Sequence, residues 1–163
     1  MKHIFVWFSI VSLIMIGCEG TRTADEYFNA AEVERNAKNI KVSLENLEKL
    51  IEHYPDNALA AQAQYLMGDI YMNDLRDFEN AILSYQKVVD NFSGSSKVAH
   101  AQFMVGYIYA ENLNKKDLAR TAFQRFINEH SDDVGEYFLE SAKQELRSLE
   151  DGAPRLEDIL QNN

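Results

Sequence analysis

Few side chains in this sequence could take part in covalent or metal chemistry. There is one cysteine, Cys18, and there are four histidines. His53, His100 and His130 have no histidine or cysteine three or four positions away, the spacing at which a helix brings two ligands to one side of a metal. The acidic group Asp132, Asp133 and Glu136 lacks calcium-loop spacing and reads as a solvated helix start. No Gly-rich phosphate loop, H-E-x-x-H pair or G-x-S-x-G elbow occurs, and Ser93-Gly94-Ser95-Ser96 is a loop with cap residues. The sequence therefore predicts no enzyme activity, no catalytic residue, no metal and no cofactor. What remains is one thiol, together with aromatic and polar side chains that recur at a fixed interval and point to recognition rather than reaction.

That interval is 38 residues, and it defines the elements that must position those side chains. Tyr65-x-x-Gly68-x-x-Tyr71 stands beside Phe103-x-x-Gly106-x-x-Tyr109, and Ala81-x-x-x-Tyr85-x-x-Val88-Val89 beside Ala119-x-x-x-Phe123-x-x-Phe126-Ile127. One interval earlier lie Tyr27-x-x-Ala30 and Ser43-x-x-x-Leu47-x-x-Leu50-Ile51, a weaker third copy. A helical pair of this length cannot bury its apolar face alone and must stack on its neighbours, so the period predicts an all-α solenoid.

Residues 1–17 carry Lys2 as their one Lys, Arg, Asp or Glu, followed by an apolar run from Ile4 to Ile16 broken by Ser9 and Ser12. As a helix that run reaches about 20 Å, short of the roughly 30 Å hydrocarbon core, and it reads as an export signal rather than a spanning anchor. Its end, Gly17-Cys18, resembles a bacterial lipobox. The resemblance implies that Cys18 receives a diacylglyceryl group and becomes the new N-terminus. Residues 18–22 then form a lipidated tether, in which Glu19 to Arg22 extend to about 14 Å and keep the array close to its membrane. Glu19 is not the Asp that retains lipoproteins in the inner membrane of enteric bacteria, which favours the outer membrane facing the periplasm.

Fifteen of the 16 Lys and Arg and all 26 Asp and Glu follow the signal. Such acidity, without a basic cluster, argues against nucleic acid and against an electrostatic grip on anionic lipid. With no second cysteine to form a disulfide, stability must come from packing.

Residues 23–150 are expected to hold the repeat domain: units at about 23–60, 61–98 and 99–136, and a capping helix at 137–150. Thr23-x-x-Glu26 is a capping box that opens the first helix, to about Asn36. The second helix runs from about Ile40 to His53 and is stopped by Pro55, with Asp56 or Asn57 capping the next. The following pairs read as Ala58–Met72 with Asp77–Asn91, and Ser96–Glu111 with Lys116–His130. A seventh helix, from about Val134 to Glu150, sets Phe138, Leu139, Ala142, Leu146 and Leu149 toward the stack and Glu140, Lys143, Glu145 and Arg147 toward water. Residues 151–163 are expected to be a flexible tail.

Gly68-x-x-Tyr71, Ala81 and Tyr85, with Pro55 or a serine closing the unit, resemble the tetratricopeptide repeat, lengthened by one residue between helices and three between repeats. Gln64 and Gln102 occupy that family's tryptophan position. The resemblance implies a tetratricopeptide-like α-solenoid of three helical pairs plus a C-terminal capping helix, working as a scaffold for protein–protein interaction. With the lipobox, the long unit resembles the BamD-type outer-membrane assembly lipoproteins. The three-repeat domain also resembles that of the Tol-Pal-associated coordinator of division. These imply an accessory in outer-membrane protein assembly or a division and cell-wall coordinator. A third reading, an unrecognised envelope hydrolase, needs clustered acids or histidines that the sequence does not offer.

In that family the first helix of each pair lines a concave groove that holds a protein or peptide. Matching positions here are Tyr27, Tyr65 and Phe103 in one row and Ala31, Asp69 and Tyr107 in the next, flanked by Gln62 and His100 and by Asn73 and Glu111. Helical periodicity leaves Tyr65 and Phe103 open between core and groove. Tyr107 is the stronger groove residue, because Ala31 and Asp69 show that its position does not demand an apolar side chain.

Overall fold

A computed structural model of the chain describes residues 22–132 and 134–151. Among these residues seven α-helices follow one another: α1 (Ala24–Asn36), α2 (Ile40–His53), α3 (Ala58–Asp69), α4 (Phe78–Asn91), α5 (Lys97–Tyr107), α6 (Lys116–His130) and α7 (Glu136–Asp151). They form three antiparallel pairs and a closing helix, and there is no strand among the described residues. The signal, Cys18 with most of its tether, and residues 152–163 lie outside the described residues.

Local sequence explains most of the boundaries. Glu26 N–H donates to Thr23 Oγ1 at 3.2 Å and Thr23 N–H to Glu26 Oε2 at 2.8 Å, the reciprocal box that opens α1. Past Pro55, the cap of α3 is Asn57, whose Oδ1 accepts from Leu59 N–H at 2.9 Å. Asp77 caps α4 through Asn80 N–H at 3.1 Å.

The first helices of the second and third units depart from expectation. Instead of running on as α-helix, α3 and α5 widen into π turns over Ile70–Asp74 and Ile108–Asn112. There Leu75 N–H reaches Ile70 O at 3.1 Å and Leu113 N–H reaches Ile108 O at 3.0 Å, five residues back. Each widening takes up extra chain at the end of the first helix while Ile70 and Ile108 stay fully buried. The first unit has exposed Glu32 at that position and ends differently. Lys38 N–H bonds Arg35 O and Asn39 N–H bonds Glu34 O, a Schellman pair. All three units then turn on a left-handed residue at the same repeat position: Lys38 (φ 64°), Arg76 (φ 53°) and Asn114 (φ 51°).

The core follows the repeat. Leu47, Tyr85 and Phe123 are fully buried, and so are Leu50, Val88 and Phe126 three residues later. Complete burial of such a side chain contributes about 1.5–3 kcal/mol. Each apolar cluster joins one unit to the next element: Leu47 and Leu50 meet Ala60, Ala63 and Met67 of α3, Tyr85 and Val88 meet Ala101 and Val105 of α5, and Phe123 and Phe126 meet Ala142 and Leu149 of α7. No unit has a complete core without its successor.

The glycines admit the rings. A Cβ at position 68 would fall 2.5 Å from Tyr85 Cε1, and one at position 106 would fall 2.9 Å from Phe123 Cδ1. Where the first unit has Ala30, the opposing residue at the same interval is the smaller Leu47.

At the far end α7 closes the stack against α6, and Arg120 Nη2 donates to Leu149 O at 3.4 Å. One residue assigned to its polar face is misplaced. Glu145 is only 3% exposed, because it lies on the same turn as the buried Ser148 and Leu149, while Glu140 and Arg147 face water.

Two stability predictions follow from these contacts. Gly68→Ala gains about 1 kcal/mol of helix propensity but drives a methyl into a ring that cannot retreat, at a cost of about 1–3 kcal/mol, so it lowers the urea midpoint. Gly106→Ala, with more room, changes it less, and equal gains in both variants would refute the close-packing argument. Lys38→Gly relieves the left-handed strain and raises stability by about 0.5–1 kcal/mol, because the ion pair it gives up with Asp74 is long, at 3.6 Å, and carried by an exposed lysine, so it contributes little. Arg76→Gly gains less, since it also removes the guanidinium 5.5 Å above the Phe78 ring. Thermal melts of the two variants compare them directly.

Candidate protein-binding groove

α1 touches α3 and α3 touches α5, while α2, α4 and α6 make no comparable contact with one another. The first helices therefore form the continuous inner side of the array and the second helices the splayed outer side. The sequence-derived candidates all belong to the first helices and the π turns that extend them, but they divide sharply by depth.

Tyr27 does not offer a groove surface. It is 8% exposed, belongs to the first core cluster and stacks on His53 at 6.0 Å between ring centroids. Ala31 is fully buried in the same cluster. Their burial follows from being where α1 meets α2 and α3. Phe103 is half-buried and packs against Phe123, Phe126 and Phe138 at 5.4, 5.8 and 4.7 Å, so most of its surface serves the core. Tyr107 is half-buried against the third cluster, and Glu111 is half-buried on the π turn that follows. Gln62 and Asn73 are exposed. His100 is exposed too, with one face stacked on Phe138 at 4.8 Å.

Tyr65 and Asp69 come together at the middle of this side. The Tyr65 ring lies 5.1 Å from the Tyr85 ring, and Lys97 Nζ sits 5.2 Å above it from the start of α5. Tyr85, otherwise a core residue, sends its hydroxyl past Gly68 to donate to Asp69 Oδ1 at 2.6 Å. Burial pushes the Asp69 carboxyl above its ordinary value, and the Tyr85 hydrogen bond and the charges of Arg35 and Lys97 offset only part of that. Burial and the Asp69 charge push the Tyr65 phenol up to about 12. On the α1 side, Arg35 Nε donates to Asp74 Oδ2 at 2.7 Å, with Lys38 Nζ 3.6 Å from Oδ1.

Arg35, Asp74, Tyr85 and Lys97 were not among the sequence candidates. One signal for Tyr85 was present: in the row Leu47, Tyr85, Phe123 only the tyrosine carries a hydroxyl, and in the row Ala31, Asp69, Tyr107 only the aspartate can accept it as an anion. The result is a polar seam across three helices. It can offer a carboxylate, cations and tyrosine faces to a ligand held across α1, α3 and α5. No group of three or more His, Cys, Asp or Glu gathers as a metal-binding set among the described residues. No helix among them is long and apolar enough to cross a membrane.

The family model described as Soluble NSF attachment protein, SNAP, matches residues 17–133. The chain belongs to the SNAP family. The match takes in α1 through α6, so the SNAP-family array includes all three helical pairs and the whole polar seam, while α7 lies beyond it. Membership agrees with the helical-repeat architecture read from the 38-residue period. A comparison with curated proteins finds no match.

The raised Asp69 pKa gives the SNAP-family seam a testable pH signature. The folded chain holds this proton more tightly than the unfolded chain. Stability therefore falls as pH rises from the ordinary value of 3.8 through the raised one, and the penalty stays in force above it. Asp69→Asn keeps an acceptor for Tyr85 and removes the buried charge. It is expected to raise the melting temperature at pH 7 and to lose that advantage near pH 4. An advantage that does not shrink on acidification would show that charge burial is not the cause.

Proposed function

We propose that this protein is a lipid-anchored scaffold of a bacterial cell envelope that holds a segment of a partner protein against the first-helix side of its array and carries out no reaction of its own. The seam carries the reading: Arg35, Asp69 and Lys97 come from three successive first helices, with half-buried Tyr65 between the last two. Partly buried aromatics beside oriented charges suit recognition of an extended or helical segment, in which apolar side chains give affinity and the charges fix register. The family, named for attachment of one protein to another, fits a role in bringing proteins together.

The lipobox-like Gly17-Cys18 and the short tether support attachment at a membrane surface, and Glu19 favours the outer membrane facing the periplasm. In that setting the resemblance to BamD-type lipoproteins favours an accessory role in outer-membrane protein assembly. The three-repeat count favours a second reading, a scaffold that couples Tol-Pal, division or cell-wall synthesis machinery to the membrane.

A photo-crosslinking residue at position 107, in intact cells with Cys18 retained, tests both. Capture of a β-barrel assembly subunit or an unfolded barrel substrate is the expected result. Capture of Tol-Pal or peptidoglycan-synthesis proteins would favour the second reading, and the absence of any adduct would count against a partner on this side. Separately, an alkyne-palmitate label should enter the wild-type chain and not Cys18→Ser; labelling of both would refute lipidation at Cys18.

A further inference from the structure

The outer side of the array holds a second feature that the first-helix seam does not use. Because α4 and α6 splay apart, a furrow of about 200 Å³ opens between them over α5, lined by Val89, Val105, Tyr109, Leu118 and Ala122. Leu118 and Ala122 make it apolar at positions where, one interval earlier, α4 carries Asn80 and Ser84. A cavity of about 150 Å³ with apolar walls holds benzene, so this one has room for a leucine or isoleucine side chain. Leu118, at its lip, is 47% exposed. The Gln102 amide in the wall is closed off: Nε2 donates to Glu129 Oε2, and Oε1 is buried and unmet. With Asp90 and Arg125 both on the rim, the furrow selects by apolar shape and not by charge or hydrogen bonding.

The chain carries its own candidate. Beyond α7 lie Leu156, Ile159 and Leu160, spaced i, i+3 and i+4, so that a single helical turn would set them on one side. α7 itself has no place for them. Where Gly68 and Gly106 admit the ring of the following helix, α7 has Gln144, which accepts from Arg147 Nη2 at 3.0 Å. On the same face Lys143 Nζ lies 2.7 Å from Glu140 Oε1. That face is polar and filled, so no second helix can seat there as α4 seats on α3 and α6 on α5.

Reach and charge lead to the furrow instead. Arg120 Nη2 donates to Leu149 O at 3.4 Å, which holds the end of α7 beside the start of α6. From there Gly152 to Leu156 extend to about 17 Å, whereas a helix with its side chains is about 10–12 Å across. The segment can therefore pass the head of α6 to Leu118. At that head Lys115 and Lys116 are exposed and form no ion pair among the described residues. The segment brings Glu157 and Asp158 between its apolar residues.

We propose that residues 155–160 of this chain occupy its α4–α6 furrow, with Leu156 on Leu118, Ile159 and Leu160 against Val89 and Val105, and Glu157 and Asp158 paired with Lys115 and Lys116. In place of the free tail expected of residues 151–163, the segment straps the closing helix across α6 to α4. A partner reaches this outer face only by displacing it.

The test uses the methyl-labelled full-length chain in phosphatidylcholine nanodiscs. Nuclear Overhauser contacts are expected between the methyls of Leu156, Ile159 or Leu160 and those of Val89, Val105 or Leu118, unchanged by chain concentration. Deleting residues 152–163 should shift the furrow methyls, and a capped peptide of residues 154–163 added to the truncated chain should return them. If the truncated chain does not fold, the contacts in the full-length chain decide the point. The peptide carrying Leu156→Ser, Ile159→Ser and Leu160→Ser should bind about tenfold more weakly. Lys115→Glu with Lys116→Glu, an exchange that suits a helix start, should weaken the native peptide about threefold, and Glu157→Lys with Asp158→Lys in the peptide should recover it. Furrow methyls unmoved by the deletion, equal binding of the serine peptide or a charge exchange without effect would overturn the proposal. So would contacts from the segment to Leu139 or Leu146 of α7 in place of the furrow. Contacts between labelled and unlabelled chains would make a second copy's segment the occupant and would equally overturn it.

Discussion

The array depends on bringing an aromatic ring of one helix against bare backbone of its partner. Tyr85 lies over Gly68 and Phe123 over Gly106, at distances that leave no room for a methyl group. The same approach does two things at once. It lets a large ring fill the centre of the pair, where close packing contributes most, and it carries the Tyr85 hydroxyl through to Asp69 on the inner side. Core and groove are therefore not separate parts of this molecule. The residue that completes the second unit's core also orients the central carboxylate of the recognition surface.

That coupling shows how far the sequence could be read. A 38-residue period fixes the phase of each helix, and with it the pairing, the caps at Thr23 and Asn57 and the stacking order. Phase does not fix depth. Tyr27, Tyr65 and Phe103 share one phase, yet Tyr27 is enclosed, Phe103 mostly serves the core and Tyr65 remains partly open. The differences come from their neighbours: His53 lies against Tyr27, three phenylalanines surround Phe103, and Lys97 lies over Tyr65. Glu145 shows the same limit, since a charge pattern placed it on the wet face and the turn it shares with Ser148 and Leu149 buried it.

The π turns were illegible for a related reason. Whether an N–H bonds four or five residues back depends on what the widened turn allows the next side chains to reach, and that is decided by tertiary contact. Ile70 and Ile108 occupy a position where the first unit has Glu32, so the distinction is visible in retrospect as an apolar-for-charged exchange. The Arg35–Asp74 pair spans 39 residues and links a first helix to the next unit's π turn, a contact that no local pattern encodes. On the outer side, Gln102 marks a repeat position, but its unmet acceptor exists only because Glu129 reaches it from α6.

The left-handed residues bear on the balance of strain and contact along such a stack. Lys38, Arg76 and Asn114 place one strained turn inside every helical pair, so strain grows with the number of pairs. Stabilising contact between units grows more slowly, because a linear stack has one fewer junction than it has members. A lone closing helix changes that balance. Among the described residues α7 adds a third junction, against α6, and no further left-handed turn. Among the described residues, half a unit is thus enough to bring junctions level with strained turns, a consequence of arithmetic as much as of the polar residues on its outer face.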